Sequence, residues 1–168
     1  MGKIFLYTGD GGGKTTNALG AALRSLGHGK KVVMIQFLKW YKNTGECLFK
    51  HPNFTIKQFG REGWKSRNEL EEEDRIKATV GLMVAGTYLY RNDPPDLLIL
   101  DELNLALSLN MVNMEMIKTL LKHIPEKTTV FITGREAPKE LMKMADYVIE
   151  IKPIKIPKNC DNIEGINY

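Results

Sequence analysis

The chain reads as an α/β protein: three layers, with a mainly parallel sheet of about six strands covered by helices on both faces. Three observations lead there. Short apolar runs alternate with helical patterns along most of the length. The first run, Ile4–Tyr7, passes straight into Thr8-Gly9-Asp10-Gly11-Gly12-Gly13-Lys14-Thr15-Thr16 and then a helix pattern, the strand–loop–helix order of a P-loop. A later run, Leu97-Leu98-Ile99-Leu100, ends on Asp101-Glu102, an apolar strand closed by acid in the Walker B manner. At 168 residues the chain fits one domain, 1–168, with a substantial core and an extended C-terminal tail from 152 to 168.

The loop carries the chemistry. Glycines let the backbone adopt positive φ and turn successive N–H groups onto one anion. The start of the following helix adds partial positive charge. Lys14 supplies a mobile ammonium to phosphates, and Thr15 an oxygen ligand to magnesium. The residues Thr8, Gly9, Asp10, Gly11, Gly12, Gly13, Lys14, Thr15 and Thr16 are the candidate nucleotide-binding set. The usual pattern asks for glycine where Thr8 stands, but the flanking strand and helix keep the match. A turn that merely redirected the chain would have no use for Gly-Lys-Thr.

The remaining elements follow in order. The first helix shows Leu19, Ala22, Leu23 and Leu26 on one face and ends at Gly27-His28-Gly29. Lys31–Phe37 is a second buried strand. Residues 38–52 form a long loop with Trp40, Tyr41, Lys42, Gly45 and Glu46, of the kind that carries function beside strand ends. Phe54–Phe59 is a third strand, followed by the loop Gly60–Trp64. Leu70–Tyr90 is a long helix in which Ile76, Val80, Met83, Val84, Thr87 and Tyr88 recur at helical spacing. Its acidic start, Glu71–Asp74, reads as a solvated first turn favoured by the helix dipole rather than as a metal site. Pro94-Pro95 stops it. After the Walker B strand come a helix through Leu103, Leu107 and Leu109 and another from near Asn113, with Met111, Met114 and Met116 as core filler. Thr128–Thr133 is the fifth strand, Pro138–Ala145 a short helix, and Tyr147–Ile151 the sixth strand.

The composition is that of an ordinary soluble globular protein, 43% hydrophobic and 26% charged. The net charge of +4 is too mild to argue for nucleic acid. No apolar run reaches membrane length. Cys47 and Cys160 lack metal-ligand spacing and read as packing or surface thiols of a reducing compartment. Met1-Gly2-Lys3 leads directly into a strand, which leaves no room for a targeting peptide, so a cytoplasmic protein is expected.

In an open parallel sheet, ligands bind beyond the carboxyl ends of the strands. The P-loop, the Trp40 loop, Asp101-Glu102 and Thr133-Gly134-Arg135 all fall there. Asp101 or Glu102 would hold Mg2+ directly or through water, alongside Thr15; the competing role for Asp101 is a helix cap. Arg135 either clamps a phosphate oxygen or pairs with Glu136 or Glu140. Trp40 and Trp64 either pack under loops or face a ligand. These residues describe a magnesium-nucleoside-triphosphate site without specifying the reaction.

The combination of motifs resembles the ATP:corrinoid adenosyltransferases, the branch with a RecA-like P-loop fold. That family also has Thr at the first P-loop position. Gln36-Phe37-Leu38-Lys39 with Gly45-Glu46, Leu100-Asp101-Glu102-Leu103-Asn104, and Ile132-Thr133-Gly134-Arg135 with Ala137-Pro138 are similar to its other blocks, as is the ending Gly165-Ile166-Asn167-Tyr168. The resemblance implies transfer of the 5′-deoxyadenosyl group of ATP to the Co(I) of a reduced corrinoid, with triphosphate leaving. It implies that ATP lies reversed in the loop, ribose carbon toward cobalt, and that an aromatic residue, here Trp64 with Trp40 as a second candidate, presses on the corrinoid. Lys14, Thr15, Glu102 and Trp64 are the catalytic candidates. A homodimer and a flavoprotein reductant are also implied. Two departures from the family pattern are expected to matter: Gly12 stands where a lysine is frequent, and no counterpart of the N-terminal arm of longer members is expected. The competing readings are a P-loop ATPase or small-molecule kinase cleaving at the γ-phosphate, and a nucleotide- or corrinoid-sensing module without turnover.

Overall fold

The computed structural model describes residues 2–63, 67–157 and 163–166. One sheet contains β1 (Ile4–Thr8), β2 (Val32–Phe37), β3 (Phe54–Phe59), β4 (Leu97–Asp101), β5 (Thr129–Thr133) and β6 (Tyr147–Glu150), in the spatial order β3-β2-β4-β5-β1-β6. Every pairing is parallel, so all six carboxyl ends share one edge. The α-helices among the described residues are α1 (Lys14–Gly27), α2 (Gly45–Leu48), α3 (Glu72–Leu89), α4 (Leu103–Ser108), α5 (Met114–Lys122) and α6 (Lys139–Met144), with a 3-10 turn at Arg67–Glu69 before α3. Each expected strand and long helix is present within a residue or two. The short helix α2 is the addition, inside the stretch expected to be an irregular loop.

The strands read as unbroken apolar runs because both faces are covered. Along β2, Val33, Ile35 and Phe37 join the core beneath α3 to α6, while Val32 and Met34 join the core beneath α1. The wall opposite α1 carries more helices and the larger core.

Two helices present a different face from the one the sequence suggests. In α1, Ala18, Ala22 and Leu26 are buried, but Leu23 is exposed. In α3, the buried residues include Ala78, Gly81, Leu82 and Ala85, while Ile76, Val80 and Met83 are exposed. The reason lies in the sheet. A Cβ on Gly81 would sit 3.0–3.1 Å from the rings of Phe59 and Phe37. Those aromatics already fill the interlayer gap, so α3 turns its small residues inward and its bulk outward.

The acidic start of α3 also needs correction. Glu71, Glu72 and Glu73 are exposed, but Asp74 is buried. Asp74 accepts the backbone N–H of Glu71 at 2.8 Å within a capping box and receives Nε of Arg61 at 3.2 Å. It fastens the loop after β3 to the helix instead of being solvated.

A second acid holds the sheet edge. Asp146 accepts the Ile4 N–H at 2.8 Å and the Lys3 ammonium at 2.9 Å, and these contacts hold its carboxyl below the ordinary range. A depressed carboxyl stabilises the fold above its unfolded pKa and loses that contribution as pH falls through the folded value. Asp146→Asn is therefore expected to lower the melting temperature at neutral pH, with the difference shrinking as the pH drops below about 4. Parallel thermal melts across pH check this; a gap that stays constant into acid would contradict it.

Candidate active site

The P-loop begins where β1 ends. Gly9 (φ 96°) and Gly13 (φ 100°) adopt left-handed conformations, and a Cβ on Gly9 would lie 2.4 Å from the carbonyl oxygen of Ile151. The N–H of Gly11 donates to that same carbonyl at 2.9 Å. The segment after β6 thus braces the loop from behind. On the other side Gly12 and Gly13 have open space where a Cβ would stand. Gly13 is the N-cap of α1 and supplies no side-chain bond, which leaves the first helical N–H groups for an anion.

Lys14 is buried inside this loop. Its ammonium donates to the carbonyls of Gly9 and Gly11, both at 2.7 Å. Burial lowers its pKa; the carboxylate of Glu102 opposes that shift and the guanidinium of Arg135 adds to it.

The strand register builds the acidic half. Gln36 of β2 pairs laterally with Asp101 of β4 and with Gln58 of β3. Asp101 is fully buried. Its Oδ1 accepts Thr15 Oγ1 at 2.8 Å and Thr133 Oγ1 at 2.7 Å. Its Oδ2 accepts Gln36 Nε2 at 3.1 Å and Lys39 Nζ at 2.8 Å. Asp101 does not cap the next helix: the N-cap of α4 is Glu102, at φ 62° and without a side-chain bond. Burial raises the pKa of Glu102, and the charge of Asp101 raises it further, against Lys39, Lys14 and Arg135.

Lys14, Thr15, Lys39 and Glu102 face a cavity of about 880 Å³, while Asp101, Gln36 and Thr133 are buried behind its wall. The run Gly11, Gly12, Gly13, Lys14, Thr15 and Thr16 lines it together with Lys39, Tyr41 and Glu46, and with Glu102, Arg135 and Gly165-Ile166. Thr8 and Asp10 stand apart from the wall. Thr8 Oγ1 accepts the Ala137 N–H at 3.2 Å and ties β1 to the chain after β5, while Asp10 is exposed. Trp40 is half-buried against Tyr41, ring centroids 5.9 Å apart, and it is Tyr41 that faces the cavity. Glu140, one candidate partner of Arg135, is engaged by Lys118 at 2.6 Å. Trp64 lies outside the described residues.

Among the described residues no three carboxylate, imidazole or thiol groups gather closely enough to hold a metal. Thr15, Asp101 and Glu102 offer one hydroxyl and two carboxylates. That set fits Mg2+, which takes few carboxylates and completes its shell with phosphates and water.

Several participants escaped the sequence reading. Gln36 and Lys39 were visible only as parts of a family pattern, Glu46 otherwise only as a member of the long loop after β2, and Thr133 only as the neighbour of Gly134-Arg135. Asn104 is fully buried and donates to the carbonyls of Tyr7 at 3.0 Å and Gly134 at 2.9 Å, joining the ends of β1 and β5. A polar residue at the end of an apolar strand or start of a buried helix was the available signal.

A lysine clasped within its own loop, and a threonine bonded to the acid of another strand, set this molecule among the P-loop folds and apart from parallel sheets that merely carry a glycine turn. Comparison with known proteins narrows that class. The chain belongs to the ATP:corrinoid adenosyltransferase BtuR/CobO/CobP family, whose model matches residues 1–168. It is 33% identical to the corrinoid adenosyltransferase of Escherichia coli over 92% of this chain and 78% of that protein. It is 32% identical to the corresponding proteins of Salmonella typhimurium, covering 92% and 78%, and Pseudomonas aeruginosa, covering 92% and 76%. No helix among the described residues is long and apolar enough to cross a membrane.

Proposed function

We propose that this protein transfers the 5′-deoxyadenosyl group of ATP to the Co(I) centre of a reduced corrinoid and releases triphosphate. The observation that carries the reading is a family match over the whole chain that falls on an intact phosphate cradle, Lys14 and Thr15 included. In the reaction, the cobalt electron pair forms the Co–C5′ bond, and the C5′–O bond breaks with its electrons leaving on triphosphate. Co(I) needs no base to activate it, so the protein's work is alignment and stabilisation of the leaving group. Lys14, the loop N–H groups from Gly12 to Thr16 and Arg135 hold the polyphosphate. Thr15, Asp101 and Glu102 would hold Mg2+, which supplies further positive charge to the departing oxygens. The nucleotide lies with its ribose carbon toward the corrinoid.

Incubation of the protein with ATP, magnesium and chemically reduced cobalamin tests this. Triphosphate is the expected product, with a slow ATP-dependent change in the corrinoid spectrum; orthophosphate as the sole product would point to γ-phosphate cleavage.

Trp64, with Trp40 as a second aromatic, is assigned to the corrinoid face, where it eases reduction of Co(II). Trp64→Ala is expected to lose about tenfold or more when the assay begins from Co(II) and a flavoprotein reductant, and to stay near the wild-type rate with preformed Co(I). Equal losses in both assays would remove it from the reduction step. A homodimer in the cytoplasm is part of the same reading; the outward apolar residues Ile76, Val80 and Met83 on α3 support the dimer.

A further inference from the structure

The carboxylate of Asp101 has no acceptor position to spare. A carboxylate offers about four lone-pair sites, and Thr15, Thr133, Gln36 and Lys39 occupy them. A metal ion, or a water bound to one, reaches Asp101 only if a donor leaves. Thr133 also accepts the Glu102 N–H at 3.1 Å. Gln36 is fully buried and also bonds Glu46 at 3.0 Å and Gln58 at 3.0 Å. Both are fixed within strands. Thr15 needs only to rotate its hydroxyl. Lys39 differs from all three: it lies beyond the end of β2, on the cavity wall, on a flexible stem, and it is the one donor with a full charge.

The backbone is shaped to place it there. Leu38 is buried at φ 62°, a conformation costly for a residue with a branched side chain. Gly60 receives this turn: a Cβ on it would lie 2.5 Å from the carbonyl carbon of Leu38 and 2.7 Å from the nitrogen of Lys39. The turn sends Lys39 back across β2 to Asp101 at 2.8 Å and toward Glu46 at 3.9 Å.

We propose that Lys39 is the resident counter-cation of the metal seat: its ammonium neutralises Asp101 and Glu46 before nucleotide binds, and it moves to the polyphosphate when a divalent cation arrives with ATP. This rests on the assignment of Thr15, Asp101 and Glu102 to magnesium. It makes metal binding depend on nucleotide, because the ion's seat is vacated only when a new anion is offered to Lys39.

Mn2+ titration followed by electron paramagnetic resonance, on the full chain without corrinoid, tests this with and without ATP. The wild type is expected to bind Mn2+ weakly alone and tightly with ATP. Lys39→Met is expected to bind nucleotide-free Mn2+ about tenfold tighter, and metal-free ATP several-fold more weakly. Lys39→Arg, which keeps the charge, should behave as the wild type toward nucleotide-free Mn2+. Mn2+ alone should also raise the melting temperature of Lys39→Met more than that of the wild type, so a destabilised variant remains informative. Unchanged nucleotide-free affinity in Lys39→Met, or a melting temperature that Mn2+ leaves unmoved, overturns the inference while the metal assignment stands. Absence of ATP-dependent Mn2+ binding by the wild type overturns both.

Discussion

Lys14→Ala is expected to lower the rate of adenosyl transfer at saturating ATP and preformed Co(I) by about 10²–10³-fold, the loss typical when one preorganised donor to a developing anion is removed. The ammonium sits in the loop already, held by the carbonyls of Gly9 and Gly11, and α1 anchors its backbone through the buried Ala18 and Ala22. Charge builds on the triphosphate as the C5′–O bond breaks, so the lysine matters more in the transition state than in the bound substrate, and kcat should fall more than KM rises. The fold should survive. The lysine's hydrogen bonds go to two carbonyls of its own loop, at the edge of a cavity from which water can reach them. Initial rates beside thermal melts measure the two effects. A variant that keeps more than about a tenth of the rate would take Lys14 out of the leaving-group role. Lys14→Arg should rescue poorly, because a planar guanidinium does not fit between two carbonyls spaced for an ammonium.

How far the sequence spoke for itself depends on the range of each signal. The P-loop and the strands are local: Ile4–Thr8 and the glycines that follow need no other part of the chain to be recognised. The faces of α1 and α3 are not local. Nothing within α3 tells that Phe37 and Phe59 fill the space opposite Gly81, and residue size alone points the larger apolar residues inward. The burial of Asp74 is non-local for the same reason. Its partner Arg61 lies on another element, and an acid in a first helical turn looks solvated until that partner is known. The site divides in the same way. Lys14, Thr15 and Asp101 stand in patterns whose spacing carries meaning, whereas Lys39, Gln36 and Glu46 acquire theirs from the alignment of β2 beside β4. Register is a property of the sheet, and Gln36 and Asp101 are far apart along the chain.

Asp101→Asn tests that assembled half of the site, and its expected effects fall on stability and metal use together. An asparagine has one acceptor oxygen and one donor group, yet four donors converge on this position. With its oxygen toward Gln36 and Lys39, the amide must donate to the threonines, and Thr15 then accepts with the lone pair it would give to a metal. Lys39 meanwhile loses its closest anion, with Glu46 at 3.9 Å as the remaining partner. Breaking a buried pair from one side costs about 3–5 kcal/mol. Because Lys39 keeps some contact with solvent, about 2–3 kcal/mol is expected in urea unfolding at constant m. The rate should fall about 10²-fold, with the magnesium requirement moved to higher concentration. An acid acting solely as a cap would cost about 1 kcal/mol and leave the magnesium curve in place. Combining Asp101→Asn with Lys39→Met separates the charge pair from the rest of the network. If the lost ion pair dominates, the double variant recovers part of the stability, since no unpaired ammonium is left behind. If the two losses simply add, the hydrogen bonds from the threonines and Gln36 carry the cost, and Lys39 contributes nothing to holding Asp101.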